Sequence, residues 1–355
     1  TFKALLAYRM ATGDFRGTDD TRRTAYANVS RDFYGRVPFA FKAGVDVRQA
    51  IRDLRFNQPQ FAFVGPDGRG STTPAGSDDL AAPFIDPSFS SRVPGYGWPP
   101  FEGISAEKLY EYYVANPTHF MLNANGAYRS TINQSKHAEE IISSAFIRGD
   151  LQLIERRFKL VGGVRAEQTN IAAEGPFTDP SRNIRRDAQG NPVIGANGLP
   201  QPLTIDALQT SILTYIDRGT RAKKEYLRLF PSINASFNVR ENLIERASWY
   251  PSLGRPNFDQ YSGGITLPNT ESPPTPSNRI VVNNVGIKAW SARTVNARIE
   301  YYFQGVVQVS LAGFKRDYRN FFGSAVSTAA PGFLALYGLD PVLYGDYDVA
   351  TQHNL

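Results

Sequence analysis

The chain has 355 residues, of which 41% are hydrophobic and 20% charged, and a formal net charge of +6. Its mean hydropathy is −0.34, and no apolar run approaches the roughly 20 residues of a membrane-spanning helix, which excludes a helical membrane protein. Aromatic residues make up 12% of the chain, which argues against disorder because they bury large apolar surfaces. The 24 Pro and 30 Gly indicate many turns between short strands.

The composition also excludes several kinds of chemistry. The chain has no Cys, so it has neither disulfides nor a thiolate metal site. His119, His137 and His353 lie far apart in a sequence without a nucleophile motif, which argues against a histidine metal site and a Ser-His-Asp triad. Arginines are interspersed with acidic residues along the whole chain, unlike a nucleic-acid-binding stripe. We therefore predict a protein that is not an enzyme, carries no cofactor and binds no nucleic acid.

The clearest local signal is alternation with a period of two residues. In residues 232–240 the odd positions are apolar and the even positions polar, and the same alternation recurs in 39–48, 141–153, 158–167 and 295–303. Successive side chains of a strand point to opposite faces of a sheet. Each of these segments therefore predicts a strand with one apolar and one polar face.

The full pattern predicts an antiparallel all-β architecture. Nine strands are predicted, at residues 1–10, 22–33, 38–55, 139–153, 158–171, 226–240, 243–253, 290–303 and 306–319. Short turns near residues 33–36, 155–156, 241–242 and 304–305 alternate with long polar connections at 56–138, 172–225, 254–289 and from 320 onward. Only the first connection contains a predicted helix, capped by Ser105 and running through Leu109 and Tyr113.

Hairpins with short turns at one end and long loops at the other are the plan of an outer-membrane β-barrel. The predicted strands also reach the roughly 9–11 residues that a tilted spanning strand needs. A soluble β-sandwich alternates in the same way and is the competing interpretation. Long connections that recur at one end are unusual in such compact soluble domains.

Five stretches of sequence carry more specific motifs. They are LVGGVRAEQT at 160–169, LFPSINASF at 229–237, LIERASWYPSLGRPNF at 243–258, GIKAW through EYYF at 286–303, and FKRDYRNFF at 314–322. In this order and spacing they resemble the barrel of TonB-dependent receptors, the outer-membrane transporters of Gram-negative bacteria.

The resemblance implies a fold. Residues 1–355 would form part of a single transmembrane β-barrel domain, an open piece of about nine strands from a barrel of about twenty-two. It would have long outer loops and short periplasmic turns. The plug domain that fills such barrels and the C-terminal strands are expected to lie outside this sequence.

The resemblance also implies which residues matter. Charged residues on the polar faces of the strands would face the lumen, contacting the plug or lining the transport path; they are Lys42, Asp46, Arg48, Arg148, Asp150, Lys159, Arg165, Glu167, Arg246, Arg298 and Glu300. The competing interpretation is a solvated outer sheet face. Tyr96, Trp98 and Phe101 lie in an outer loop, where they would contact ligand or pack the loop onto its neighbours. Glu245 falls on the apolar face, and we expect it near a periplasmic turn, where a charge costs little.

The implied function is energised uptake of a scarce solute across the bacterial outer membrane. The solute would be a ferric siderophore, a cobalamin-like cofactor or a carbohydrate. The implied partners are the protein's own plug domain, the TonB energising complex, a small-molecule or oligosaccharide ligand, and outer-membrane lipid. The alternatives are a passive outer-membrane porin or channel, and a secreted β-rich protein that binds or hydrolyses glycans.

Overall fold

A computed structural model describes residues 9–11, 15–57, 59–71, 78–89, 96–97, 103–283, 289–303 and 307–354. The chain divides into two compact units. The smaller unit comprises Thr1–Gly17, Arg55–Gln134 and Thr204–Leu213, and the larger unit comprises Thr18–Leu54, Ser135–Leu203 and Thr214–Leu355. Strands account for more than half of the described residues, so the prediction of an all-β fold class is confirmed.

The elements are given in chain order. The strands are β1 (Arg9–Ala11), β2 (Phe15–Phe33), β3 (Phe39–Asn57), β4 (Gln60–Phe63), β5 (Ile85–Asp86), β6 (Gly103–Ile104), β7 (Phe120–Leu122), β8 (Lys136–Leu153), β9 (Phe158–Thr178), β10 (Tyr215–Arg240), β11 (Leu243–Gly254), β12 (Ile265–Thr266), β13 (Ile280–Val282), β14 (Trp290–Tyr302), β15 (Gln308–Arg319), β16 (Phe322–Thr328) and β17 (Asp348–Asn354). The helices are α1 (Ala106–Ala115), α2 (Ala124–Gln134), α3 (Ala207–Thr214), α4 (Phe258–Tyr261), α5 (Pro331–Leu336) and α6 (Pro341–Tyr344).

The larger unit contains a twelve-stranded sheet that curls into an open half-barrel. Its wall runs β2-β3-β8-β9-β10-β11-β14-β15, and from β3 to β15 each strand is antiparallel to the next. These eight strands correspond to the last eight predicted strands. The described end of the first predicted strand, β1, pairs instead with β4, in a separate three-stranded sheet. It is therefore not part of this wall.

The two ends of the wall differ as predicted. At one end, here called the turn end, residues 34–38, 154–157 and 241–242 join neighbouring strands. The 154–157 turn holds Ile154, Glu155 and Arg156 at positive φ. At the opposite end, here called the loop end, long connections leave the sheet.

The loops of the larger unit are folded, which the sequence did not predict. β12 pairs in parallel with the loop end of β9, and β13, β17 and β16 extend the sheet from it. Ile280, Val282, Leu334 and Val349 are among the buried residues of a hydrophobic core at this site. The segment from residue 320 onward was predicted as a loop, and that prediction is wrong because its scattered apolar residues fill this core.

The prediction of a helix in the first connection is confirmed. The Ser105 hydroxyl accepts a hydrogen bond from the Lys108 amide and caps α1. The prediction that only this connection contains a helix is wrong, since α3 to α6 lie in later connections. These helices are short, and capping and packing stabilise them rather than a long periodic pattern. No helix among the described residues has the length and apolarity to cross a membrane.

The smaller unit has an aromatic core. Phe63, Phe84 and Phe120 are buried in it, and the ring centroids of Phe63 and Phe84 lie 5.0 Å apart in an edge-to-face arrangement. Tyr112 packs against this core, and its hydroxyl lies 2.9 Å from Nδ1 of His119. His119 therefore has a structural contact inside this unit.

The two adjacent glycines of the LVGGVRAEQT segment have different surroundings. A Cβ at Gly163 would lie 2.4 Å from the carbonyl oxygen of Ile147, whereas a Cβ at Gly162 would lie 3.6 Å from its nearest neighbour, the carbonyl oxygen of Ser232. We predict that Gly163→Ala lowers the free energy of unfolding by about 1–3 kcal/mol, as overpacked sites do. Gly162→Ala should be nearly neutral. Thermal denaturation of the purified protein checks the pair, and equal effects would contradict the prediction.

Arg218 joins three strands at the loop end. It sits at positive φ in a bulge of β10. Its guanidinium donates to both carboxylate oxygens of Asp53 on β3, with Nη1 3.0 Å from Oδ2, and to the carbonyl oxygen of Lys136 on β8 at 3.3 Å. His137 Nδ1 lies 3.4 Å from the same Asp53 carboxylate. The bulge therefore aims one side chain at the ends of two other strands.

We predict that Arg218→Ala lowers the free energy of unfolding by about 1–2 kcal/mol, because it removes the donor of several hydrogen bonds to half-buried acceptors. Hydrogen exchange should rise at the loop ends of β3, β8 and β10. The matched control is Arg221→Ala, since Arg221 is 81% exposed and pairs with Glu174 at 3.3 Å. Such an exposed pair contributes at most about 1 kcal/mol, so a control as damaging as Arg218→Ala would refute the role of Arg218.

Candidate functional site

The pairing register places the predicted charged residues on one face of the wall. Residues directly opposite each other in a ladder share a face. Lys42 lies opposite Arg148, and Arg246 lies opposite Arg298. The ladders through β9 and β10 connect these two pairs on the same face. The shared face, here called the polar face, carries Lys42, Asp46, Arg48, Arg148, Asp150, Lys159, Arg165, Glu167, Arg246, Arg298 and Glu300. That this face lines a lumen stays a prediction.

Asp46 is at the centre of the polar contacts on this face. It is a buried carboxylate on β3, and Arg48 Nη2 lies 2.7 Å from its Oδ2. Its Oδ1 accepts hydrogen bonds from Arg165 Nη2 at 2.9 Å and from the Ser144 hydroxyl at 2.6 Å. Side chains from β3, β8 and β9 therefore meet at one carboxylate, which compensates its burial.

The ion pairs continue from Asp46 toward the loop end. Arg165 Nε lies 3.2 Å from Glu167 Oε2. Arg255, which directly follows β11, donates to the other Glu167 oxygen, and its Nε lies 3.9 Å from Glu140 Oε2. We call this connected set the charged ribbon: Arg48, Asp46, Arg165, Glu167, Arg255 and Glu140.

Sequence reasoning did not single out three contributors to these contacts. Glu140 and Ser144 stand at even positions of β8, like Arg148. Alternation places Glu140 on the polar side of this strand, although not among the predicted lumen-facing residues, and it could have identified Ser144 in the same way. Arg255 belongs to the GRPNF motif beyond a strand. No periodic pattern indicates that it folds back onto the polar face.

The residues after Arg255 form a short cover on the polar face. Phe258 and Tyr261 of α4 pack with Ala138 of β8 and Ile171 of β9, and the Arg52 guanidinium lies 5.4 Å from the Phe258 ring centroid. Burial, together with the neighbouring Tyr226 hydroxyl and Glu140 carboxylate, raises the pKa of Tyr261 well above its usual value. Tyr261 therefore keeps its proton and can donate a hydrogen bond.

A second charged cluster lies near the turn end. The buried Glu300 carboxylate is 2.9 Å from Arg298 Nε and 3.3 Å from Arg246 Nε, and it accepts a hydrogen bond from the Tyr302 hydroxyl at 2.8 Å. On β8, Arg148 pairs with Asp150 at 2.7 Å. Lys159 lies opposite Ser236 in the ladder. The polar face is therefore charged along much of its height.

The opposite face of the wall is apolar and exposed. Many of its large side chains, on six strands, are more than a third exposed; among them are Phe41, Val45, Ile147, Leu229, Ile233, Trp249, Val295, Ile299, Val309 and Leu311. Aromatic pairs lie on it near the turn end, such as Phe158 with Phe237 at 6.3 Å between centroids. Glu245 lies on this face beside the 241–242 turn, opposite Phe237 and Ile299. An exposed apolar face of this kind is typical of a surface that contacts a membrane or a protein partner.

The predicted outer-loop contacts are only partly described. Tyr96 is 85% exposed, and Trp98 and Phe101 lie outside the described residues. Their role in ligand contact stays a prediction. Within the described part of the chain, no group of three or more His, Cys, Asp or Glu side chains is arranged to hold a metal ion.

Comparison with known families decides the classification. The sequence model of the family described as TonB dependent receptor-like, beta-barrel, matches residues 5–351. The chain belongs to this family. The resemblance found in the strand motifs is thereby confirmed, as is the open antiparallel barrel. TonB-dependent receptors are outer-membrane receptors and transporters of Gram-negative bacteria and are not a class of enzymes.

Several solved TonB-dependent receptors are similar to the chain. The copper transporter OprC is 10% identical, with 96% of this chain and 35% of that chain covered and a TM-score of 0.39. The ferric-catecholate import receptor Fiu from E. coli K12 is 14% identical, with 89% and 33% covered and a TM-score of 0.40. A double mutant of the Serratia marcescens hemophore receptor HasR, in complex with HasA and heme, is 11% identical, with 96% and 44% covered and a TM-score of 0.38.

The chain thus spans less than half of the length of each of these three receptors. No curated protein matches the sequence.

Proposed function

We propose that the chain is part of a TonB-dependent receptor that imports a scarce solute across the bacterial outer membrane, using energy delivered through TonB. The observation that carries the proposal is the division of one sheet into two faces. One face exposes large apolar side chains, and the other carries the charged ribbon.

This division fits a barrel wall in a bilayer. In lipid, backbone polar groups must be paired within the sheet, and the outward side chains must be apolar. The inward face has no such restriction and can hold charged groups. The apolar face is therefore the lipid-facing side, and the polar face lines the lumen, where it contacts the plug domain or the route that opens when the plug moves.

In this arrangement the chain performs no covalent chemistry. The solute binds at the outer loops and passes along a charged wall, with the plug domain and the TonB complex as the partners that open and energise this route. The candidate solutes are a ferric siderophore, a cobalamin-like cofactor and a carbohydrate.

Uptake assays in a strain lacking the gene test the proposal. Uptake of the solute should fall in this strain and also in a strain that has the receptor but lacks TonB. Uptake that is unchanged without TonB would instead favour a passive porin or channel. Failure of the protein to fractionate with the outer membrane, combined with unchanged gel migration on heating, would favour a secreted glycan-binding protein.

A further inference from the structure

A cavity of about 710 Å³, lined by both polar and apolar residues, lies at the loop end of the larger unit. One side is formed by α4 and the residues around it, and the other by β13, β17 and β16. Its polar lining is dominated by amide and hydroxyl side chains, which are Asn257, Gln260, Asn283, Ser324, Thr351 and Gln352. The volume is that of a typical small-molecule site.

The charges in the cavity cancel. Its two charged lining residues are Lys136 and Asp259, and Lys136 Nζ lies 2.8 Å from Asp259 Oδ1. Lys136 is only 16% exposed, so its charge is held close to its partner. A ligand with net negative charge would meet no uncompensated cation here and would lose its hydration without a counter-charge. The cavity therefore suits a neutral ligand.

The remaining polar groups suit a ligand rich in hydroxyls. An amide side chain offers both donors and acceptors, and a hydroxyl offers one donor and two lone pairs. Val281, Val326 and Ala350 add apolar surface to the same lining. A sugar ring presents this combination, because its rim carries hydroxyls that donate and accept and its faces carry C–H groups.

Several of these side chains are held in place before any ligand arrives. Asn257 and Gln260 form a reciprocal capping box on α4, with both bonds between 2.8 and 2.9 Å. Gln260 Nε2 also donates to Gln352 Oε1 at 3.1 Å, which ties α4 to β17. A preorganised site loses less side-chain entropy on binding.

The cavity also lies next to the proposed path. Lys136 begins β8 and shares its parity with Glu140 of the charged ribbon. On the proposed orientation, a solute that enters through the loops reaches the cavity before the ribbon. We propose that this cavity binds a neutral oligosaccharide, an inference that rests on the uptake function proposed above.

The test uses the full-length receptor, purified in detergent. An array of neutral oligosaccharides is screened first, with heme and a ferric catecholate complex as anionic probes, and the best neutral binder is then titrated by calorimetry. In the double variant Ser324→Ala with Gln352→Ala, its affinity should fall by about tenfold or more, since each lost hydrogen bond contributes a few-fold to tenfold. Ser327→Ala is the matched control, because Ser327 lies on β16 but does not line the cavity.

A third variant tests the neutrality of the site. Asp259→Asn leaves Lys136 without its counter-ion, and it should raise the affinity for the anionic probes, because an uncompensated cation then faces the cavity. Melting curves of all variants confirm that the protein is folded. Absence of binding to every neutral glycan overturns the inference, and so does binding of heme or the catecholate that the double variant abolishes.

The readouts separate this inference from the proposed function. Oligosaccharide binding in detergent that depends on Ser324 and Gln352 supports the cavity even if uptake proves independent of TonB. In that case the proposal of energised import is wrong, and the proposal of the binding site is supported. TonB-dependent uptake of an anionic solute, with no glycan bound, overturns the cavity and leaves energised import intact.

Discussion

Replacing Arg255 with alanine should detach the α4 segment from the polar face and lower the free energy of unfolding by about 2–3 kcal/mol. Arg255 is the side chain that brings Glu167 and Glu140 together at the end of the charged ribbon. Both carboxylates are mostly buried, with side-chain exposures of 12% and 27%. Without the guanidinium, two like charges face each other in a poorly hydrated site, which costs more than the lost ion pair alone.

The substitution should also be visible locally. Tyr261 and Phe258 are held against Ala138 and Ile171 by the same fold-back that places Arg255. We expect hydrogen exchange in residues 255–263 to increase strongly, together with a lower denaturation temperature of the receptor in detergent. The affinity for the neutral oligosaccharide should fall as well, since α4 forms one side of the proposed oligosaccharide cavity.

Three further variants make this prediction specific. Arg255→Lys keeps the charge but loses the planar fork that reaches two carboxylates, so it should recover only part of the stability. Glu140→Gln added to Arg255→Ala should recover some of the loss, because it removes one of the facing charges. Lys159→Ala removes an exposed cation from the same face and serves as the control. A stability loss in Lys159→Ala equal to that in Arg255→Ala would show that net charge, not this contact, is responsible.

Sequence alternation predicted the middle of the wall strands better than their ends. β10 begins at Tyr215, although the predicted strand begins only at residue 226. Residues 221–225 carry charged side chains on both faces, because a strand that extends beyond the apolar band meets water on both sides. Likewise β9 continues to Thr178, beyond the predicted end at residue 171. Alternation therefore marks the apolar band, and the hydrogen-bonded strands extend past it.

The candidate site, like the strand ends, could be predicted only in part from sequence alternation. Alternation placed Asp46, Arg165 and Glu167 on the polar sides of their own strands, since a strand fixes which of its side chains share a side. Their partners depend on pairing register and on loop folding, and Arg255 reaches Glu167 across 88 residues of sequence. The core of the loops was equally hidden, because Ile280, Leu334 and Val349 lie in segments rich in Pro and Gly. Such segments acquire helices and strands through packing that no local period records.

A positive charge in the middle of the apolar face should impair assembly more than the same charge one residue away. Ala297 lies on that face of β14, between Val295 and Ile299, in a row with Ala247 and Gly313 of the neighbouring strands. On the proposed orientation, Ala297→Arg places a guanidinium against the hydrocarbon core of the bilayer. The expected cost is about 2–4 kcal/mol for Arg near the midplane.

The adjacent residue supplies the control. Asn296 lies on the polar face, where its amide donates to the Ser248 hydroxyl at 3.2 Å, so Asn296→Arg adds the same charge to the water-accessible side. We expect the folded fraction in outer-membrane preparations, measured by heat-modifiable gel migration, to fall for Ala297→Arg and to stay near that of the unsubstituted receptor for Asn296→Arg. The reverse order would mean that the assignment of the two faces is wrong, because charge is tolerated on the side that contacts water and penalised on the side that contacts lipid. Equal folded fractions for the two variants would contradict the assignment of the apolar face to the bilayer. Only a hydrocarbon environment distinguishes two neighbouring positions of one strand so sharply.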